Sequence, residues 1–207
     1  MLAPDLPGHG ADHTPLAEVS LDAYAKRVCD VIGREPEPVV LVGHSMGGIV
    51  ITAAADRMPE RIRTLVYLTA FLLGDGESLF AVAGSDTDSL LVGNLVPSAD
   101  GRAGSVKPDA IVPAFYATCA PADAERACAR LAPQALAPLT APVRFTPDRA
   151  GRIPRVYIEC LRDRAISIAA QRRMLAARPC EKVLTLDTDH SPFYSAPEAL
   201  AAHLAGL

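Results

Sequence analysis

A chain of 207 residues, half of them hydrophobic and 21% charged, is long enough to bury one sizeable core with a small insertion, but not to build two independent domains. Its formal net charge of −4, with basic residues scattered rather than clustered, excludes a nucleic-acid surface and a polybasic membrane anchor. No run approaches ~18 apolar residues and no basic segment precedes an apolar one at the start, so neither a membrane span nor a signal peptide is expected.

The first ten residues, MLAPDLPGHG, read as the end of a strand entering a loop, with Pro4 and Pro7 stopping regular structure and Gly8 and Gly10 turning it. Only Met1 to Ala3 remain to serve as that strand, where a buried parallel strand usually has about five or six residues. The expectation is a chain whose N-terminal strands are missing. His9 and His13 lie four apart in this Gly/Pro loop, share no helix face, and read as polar loop residues rather than metal ligands.

Ser20 to Ile32 has the pattern of an amphipathic helix: Ser20 is placed to cap it, and Leu21, Tyr24, Ala25, Val28, Val31 and Ile32 recur at helical spacing. Gly33 and Pro36 end it. Val39 to Val42 is a short, continuous apolar run, the pattern of a parallel strand buried on both faces. Next comes Gly43-His44-Ser45-Met46-Gly47, followed by a helix that contains Gly48 and the small Ala53, Ala54 and Ala55. Pro59 breaks that helix, and Ile62 to Ala70 reads as another buried strand. Helix, strand, helix and strand in alternation imply a mostly parallel sheet with helices on both faces, an α/β fold.

The alternation fails from Phe71 to Gly151, which is rich in Gly, Pro, Ser and Asp and has short helical pieces at Glu77 to Val82, Asp109 to Thr118 and Pro121 to Leu131. No strong strand is expected there. The apolar content of this stretch favours a lid over a disordered linker. The sheet pattern resumes at Pro154 to Leu161, with a helix from about Ile166 to Ala177, a last strand at Lys182 to Leu186, a loop to Pro192, and a terminal helix from Pro197 to Leu207. The expected division is therefore a core of residues 1–70 and 152–207 with an insertion at 71–151.

The chemistry concentrates on Ser45. A G-x-S-x-G turn between strand and helix needs glycine two residues either side of the Ser, where the backbones approach too closely for a Cβ, and it presents the hydroxyl at a helix N-terminus whose free N–H groups face a forming oxyanion. An unassisted Ser hydroxyl is a weak nucleophile, so it requires a base and a group to fix that base's tautomer. Asp163 and His190 each follow the carboxyl end of a strand, the sheet edge at which Ser45 also lies. Asp187 and Asp189 compete with Asp163 as the orienting group, but Asp163 alone ends the preceding strand. His203 lies in the terminal helix, His44 within the turn itself, and His9 and His13 precede the Ser, which leaves His190 as the base. Five cysteines, Cys29, Cys119, Cys128, Cys160 and Cys180, form no C-x-x-C pair and read as free thiols in a reducing compartment, so the expected location is the cytoplasm.

Together PDLPGHG, VVLVGHSMGG, YIECLRDRAI and DHSPFYSAPE resemble the α/β-hydrolase superfamily, in the branch of small-ester carboxylesterases, plant methyl-ester esterases and hydroxynitrile lyases. The resemblance implies Ser45 as nucleophile, His190 as base and Asp163 as its orienter, with the Met46 N–H as one oxyanion donor. It also implies that 71–151 is a cap over the substrate pocket, and that the second oxyanion donor belongs to a strand preceding this chain. Lyases of this branch carry Lys directly after the catalytic His, whereas Ser191 stands here, which ranks a C–C lyase below an esterase and leaves a non-catalytic binding protein as the other alternative. The expected partner is a small-molecule ester, with no metal, no cofactor, no nucleic acid and no membrane; a homodimer is left open.

Overall fold

The computed structural model describes residues 1–207. Met1 to Ala3 is not a strand stub: these residues make no ladder, and the segment that follows turns at Pro7 to Ala11. Its Asp5 and Asp12 carboxylates accept from the N–H groups of Ala11, Gly8 and Thr14, so side chains rather than a sheet satisfy this backbone. α1 is Leu21–Ile32, and the Ser20 hydroxyl accepts from the Ala23 N–H at 3.0 Å as an N-cap should. β1 is Val39–Ser45, α2 is Gly47–Arg57 and β2 is Ile62–Ala70.

Through 71–151 the chain forms α3 (Leu79–Ala83), β3 (Leu95–Pro97), β4 (Ala103–Val106), α4 (Pro108–Phe115), α5 (Pro121–Cys128), β5 (Gln134–Ala135) and α6 (Ala137–Thr140). Three short strands thus stand where no strong one was expected. They pair as a small antiparallel sheet in the order β3-β4-β5, and each is only two to four residues long, too short to show a pattern. β6 (Arg155–Cys160), α7 (Ile168–Ala177), β7 (Lys182–Leu186), α8 (Pro192–Ser195) and α9 (Pro197–Ala205) complete the chain. The short α8 lies in what reads from sequence as loop.

The main sheet has four parallel strands in the order β1-β2-β6-β7. Its face bearing Leu65, Tyr67 and Tyr157 packs against α1, α2 and α7, in a core that also takes in Leu72, Leu73, Val143 and Ala150. The opposite face, with Val66, Leu68, Val156 and Ile158, is covered by Leu200 and Leu204 of α9. The expectation that Val39 to Val42 is buried on both faces is wrong. β1 is an edge strand, only β2 pairs with it, and Val42 remains 39% exposed. A continuous apolar run marks a strand, but its burial depends on neighbours that the run itself does not specify.

Candidate active site

β1, β2, β6 and β7 all end at one edge of the sheet, so the residues that follow them converge there. Ser45 closes β1 at φ +55°, the left-handed region, where a non-glycine residue is held only by its surroundings. The turn is tight on one side. A Cβ on Gly43 would lie 2.5 Å from the Gly47 carbonyl oxygen, and one on Gly48 would lie 2.4 Å from that of Phe71. A Cβ on Gly47 would meet nothing within 4 Å, so the expectation of a clash at both flanking glycines holds for Gly43 alone. The second close approach is at Gly48, where α2 crosses the end of β2. The Met46 N–H donates to no backbone or side-chain acceptor in the chain and stands at the start of α2.

Asp163 follows β6 and is buried. Its Oδ1 accepts from the Ala165 and Ile166 N–H groups at 2.7 and 2.9 Å, and its Oδ2 accepts from His190 Nδ1 at 2.6 Å and from the Thr69 hydroxyl. His190, in the loop after β7, is 3% exposed. With Nδ1–H donating to a carboxylate, Nε2 is left with its lone pair. The two competing acidic residues are occupied elsewhere. Asp187 forms a surface ion pair with Arg162, and Asp189 is turned away toward the 71–151 segment.

His44 lies against this pair. Its Nε2 donates to the His190 carbonyl oxygen at 2.7 Å, and its ring centroid is 4.5 Å from that of His190 and 5.1 Å from that of Phe193. Burial, and then the proximity of His190, lower its pKa to about 3, so it is a neutral donor at ordinary pH. From the other side Phe115 of α4 brings its ring to 5.5 Å from His190. Asp189, fully buried, accepts from the Thr118 N–H at 2.7 Å, from the Cys119 thiol, from the Ser191 N–H and from the Ser195 hydroxyl. Burial pushes its carboxyl up, but these four donors outweigh it and hold its pKa below the usual value.

Sequence reasoning brought Asp163 and His190 together and placed Ser45 at the same edge. It missed Thr69, for which no motif gives a signal, and the props His44 and Asp189, which it weighed only as rivals. His9 instead faces the Tyr24 hydroxyl at 2.9 Å, beneath Gln134. All five cysteines are unpaired, no group of three His, Cys, Asp or Glu side chains is arranged around a common point, and no helix is long and apolar enough to cross a membrane. Cavities of about 430 and 520 Å³ lie between α1, α2 and Arg144, and between Leu16, Arg102 and Thr140; neither is lined by Ser45, Asp163 or His190.

A parallel sheet with a strained Ser between strand and helix, and an Asp–His pair at the same edge, is the arrangement of an α/β hydrolase. The chain belongs to the alpha/beta hydrolase family, whose model matches residues 1–203. It is similar to a pyrethroid hydrolase of Sphingobium wenxiniae, at 32% identity over 98% of this chain and 75% of that protein. It is also similar to a chloroplastic relative in Arabidopsis thaliana, numbered 14 in that plant's methylesterase series, at 31% identity over 95% of this chain; the chain spans only 60% of that relative's length. Among solved structures, a pyrethroid hydrolase superposes with a TM-score of 0.87 at 30% identity, covering 99% of this chain and 84% of that one.

Proposed function

We propose that the protein is a serine carboxylesterase that cleaves small, largely apolar esters through an acyl-enzyme, with residues 71–151 as the cap over its pocket. The observation that carries this reading is the buried His190–Asp163 bond at the sheet edge where Ser45 is held at positive φ. In the proposed cycle His190 Nε2 takes the Ser45 hydroxyl proton as the oxygen attacks the ester carbonyl, and the Met46 N–H receives the oxyanion. Asp163 stabilises the imidazolium so formed, which returns the proton to the departing alcohol. Water then repeats the attack on the acyl-Ser45. The apolar preference is supported by Phe115 and Phe193, whose rings flank His190 and His44. Pyrethroid and methyl-ester hydrolases among the relatives are consistent with ester substrates. Ser191 after the base is buried and uncharged, so nothing there would stabilise departing cyanide as a lyase requires.

The test is fluorophosphonate labelling and p-nitrophenyl ester hydrolysis by the wild type, Ser45→Ala and His190→Ala. Members of such a unit act together, so each variant is expected to lose on the order of 10³-fold or more in kcat under conditions where it is still folded. Wild-type turnover by His190→Ala, or an unreactive Ser45 in the folded wild type, would refute the reading.

A further inference from the structure

β2 pairs with β1 without a break from Val40 opposite Thr64 to His44 opposite Leu68, and then the pairing slips: Ser45 stands opposite Ala70. Thr69 is the extra residue. Its backbone sits at φ +36°, a conformation that β-branched side chains strongly disfavour, and its side chain is fully buried. The slip also changes the strand's parity. Ala70 belongs to the same core as Tyr67, three residues earlier, where strict alternation would send it to the opposite face.

Bulges next to active sites commonly re-aim a side chain. This one releases Thr69 from both faces and turns its hydroxyl to Asp163 Oδ2. The surrounding contacts hold the bulge in place. The Tyr157 hydroxyl, from β6, accepts from the Ala70 N–H at 3.1 Å and donates to the Ala70 carbonyl at 2.9 Å, and the Phe71 N–H donates to the Ser45 carbonyl at 3.1 Å. The strained turn at Ser45 is therefore hydrogen-bonded to the chain two residues past the bulge at Thr69.

A carboxylate offers about four lone-pair positions. On Asp163 two are filled at Oδ1 by Ala165 and Ile166, and His190 takes one at Oδ2. Thr69 takes the last. Without it the only hydrogen bond left at Oδ2 is that of the imidazole itself, so carboxylate and imidazole can tilt together about the Oδ1 end. We propose that Thr69 is a positioning residue, its hydroxyl aimed by the β2 bulge at the same Asp163 oxygen that accepts from His190, so that the base is held in line with Ser45. This rests on the esterase reading for its kinetic consequence, but not for the hydrogen bond itself.

The test compares Thr69→Val, which keeps the shape and removes the donor, with Thr69→Ser, which keeps the donor, and Thr69→Gly, which removes the donor while relieving the positive φ. The low-field proton resonance of His190 Nδ1–H, identified by its loss in His190→Gln, is read in each, together with kcat and KM for a p-nitrophenyl ester. Expected in Val and Gly is a displaced resonance and a kcat lower by about 10-fold or more at a KM within about twofold of wild type, with Ser close to wild type in both. A wild-type resonance in both Val and Gly, or a Ser variant as impaired as Val, would overturn the proposal. If Val fails to fold, Gly carries the same comparison. The resonance is read whether or not the ester is a substrate, so an inactive wild type would count against the esterase reading and leave the Thr69 result standing on its own.

Discussion

A single side chain's protonation gives the candidate site an acid sensitivity of its own. His44 is folded into a place where burial, and the neighbouring His190, lower its pKa from 6.5 to about 3, while in the unfolded chain it titrates normally. Between those values the unfolded state binds a proton that the folded state refuses, so stability falls as pH falls. Above about pH 6.5 both states are neutral and the group contributes no slope; below about 3 the loss is complete. Each unit in between costs up to about 1.4 kcal/mol. The difference in urea-unfolding free energy between wild type and His44→Gln should therefore shift by up to about 2 kcal/mol between pH 7.5 and pH 5, in the direction that favours the variant at acid pH. A constant difference across that range would show that His44 takes up its proton as readily in the folded state as in the unfolded chain. The glycines of the same turn make a second residue-scale contrast. Ala at position 47 has open space and should leave Tm and turnover nearly unchanged, whereas Ala at 43 or 48 meets a carbonyl oxygen at 2.5 or 2.4 Å and should lower Tm by several degrees and disturb the Ser45 turn.

At the scale of elements, the strands that carry the site were legible because each is a short run rich in apolar β-formers. Ile62–Ala70 and Lys182–Leu186 have the bounds that their residues predict. Pairing was not legible. β5 is two residues that acquire strand geometry only because Gln134 and Ala135 meet Gly104 and Ala103, some thirty positions earlier. The bulge at Thr69 is hidden for the same reason, since IRTLVYLTA reads as a regular strand until Ser45 is placed beside Ala70. Nor does local sequence show which acid faces which loop. Asp189 adjoins His190, yet its carboxylate clamps the turn between α4 and α5 to the His190 loop through Thr118, Cys119, Ser191 and Ser195. Asp189→Ala leaves the buried Ser191 N–H and three half-buried donors without their acceptor and should cost about 2–4 kcal/mol of stability. Because the loop it tethers carries His190, kcat should fall as well, at temperatures where the variant is still folded. Chemical denaturation and kinetics on one preparation check both, and a variant that loses stability with full kcat would show the clamp to be structural only.

Across the whole molecule, the 71–151 segment is bound to the loops after β6 and β7 at points that bracket Asp163 and His190. The Asp86 carboxylate accepts from the N–H and hydroxyl of Ser167, at 2.8 and 2.6 Å, where Ser167 caps α7. The Ser89 hydroxyl donates to the Ala165 carbonyl and the Leu90 N–H to that of Arg164, while Asp189 holds Thr118. The segment also supplies the main core directly through Leu72, Leu73, Val143 and Ala150. A lid hinged on a separate core would share few such groups and would open at low cost. Here its detachment would expose buried apolar side chains, take Asp86 from its Ser167 donors and leave Asp189 without those of Thr118 and Cys119. Such losses compare with the whole ~5–15 kcal/mol stability of a domain, so the segment and the sheet should unfold together. The expected result is that denaturation followed by far-UV circular dichroism and, in fluorotyrosine-labelled protein, by the separate 19F resonances of Tyr116 and Tyr194, which sit where the segment meets α8, gives coincident midpoints. Asp86→Ala should lower both midpoints equally. A tyrosine transition that precedes the loss of sheet signal would instead show that the segment comes away first, and that access to Ser45 is set by that opening rather than by the folded surface.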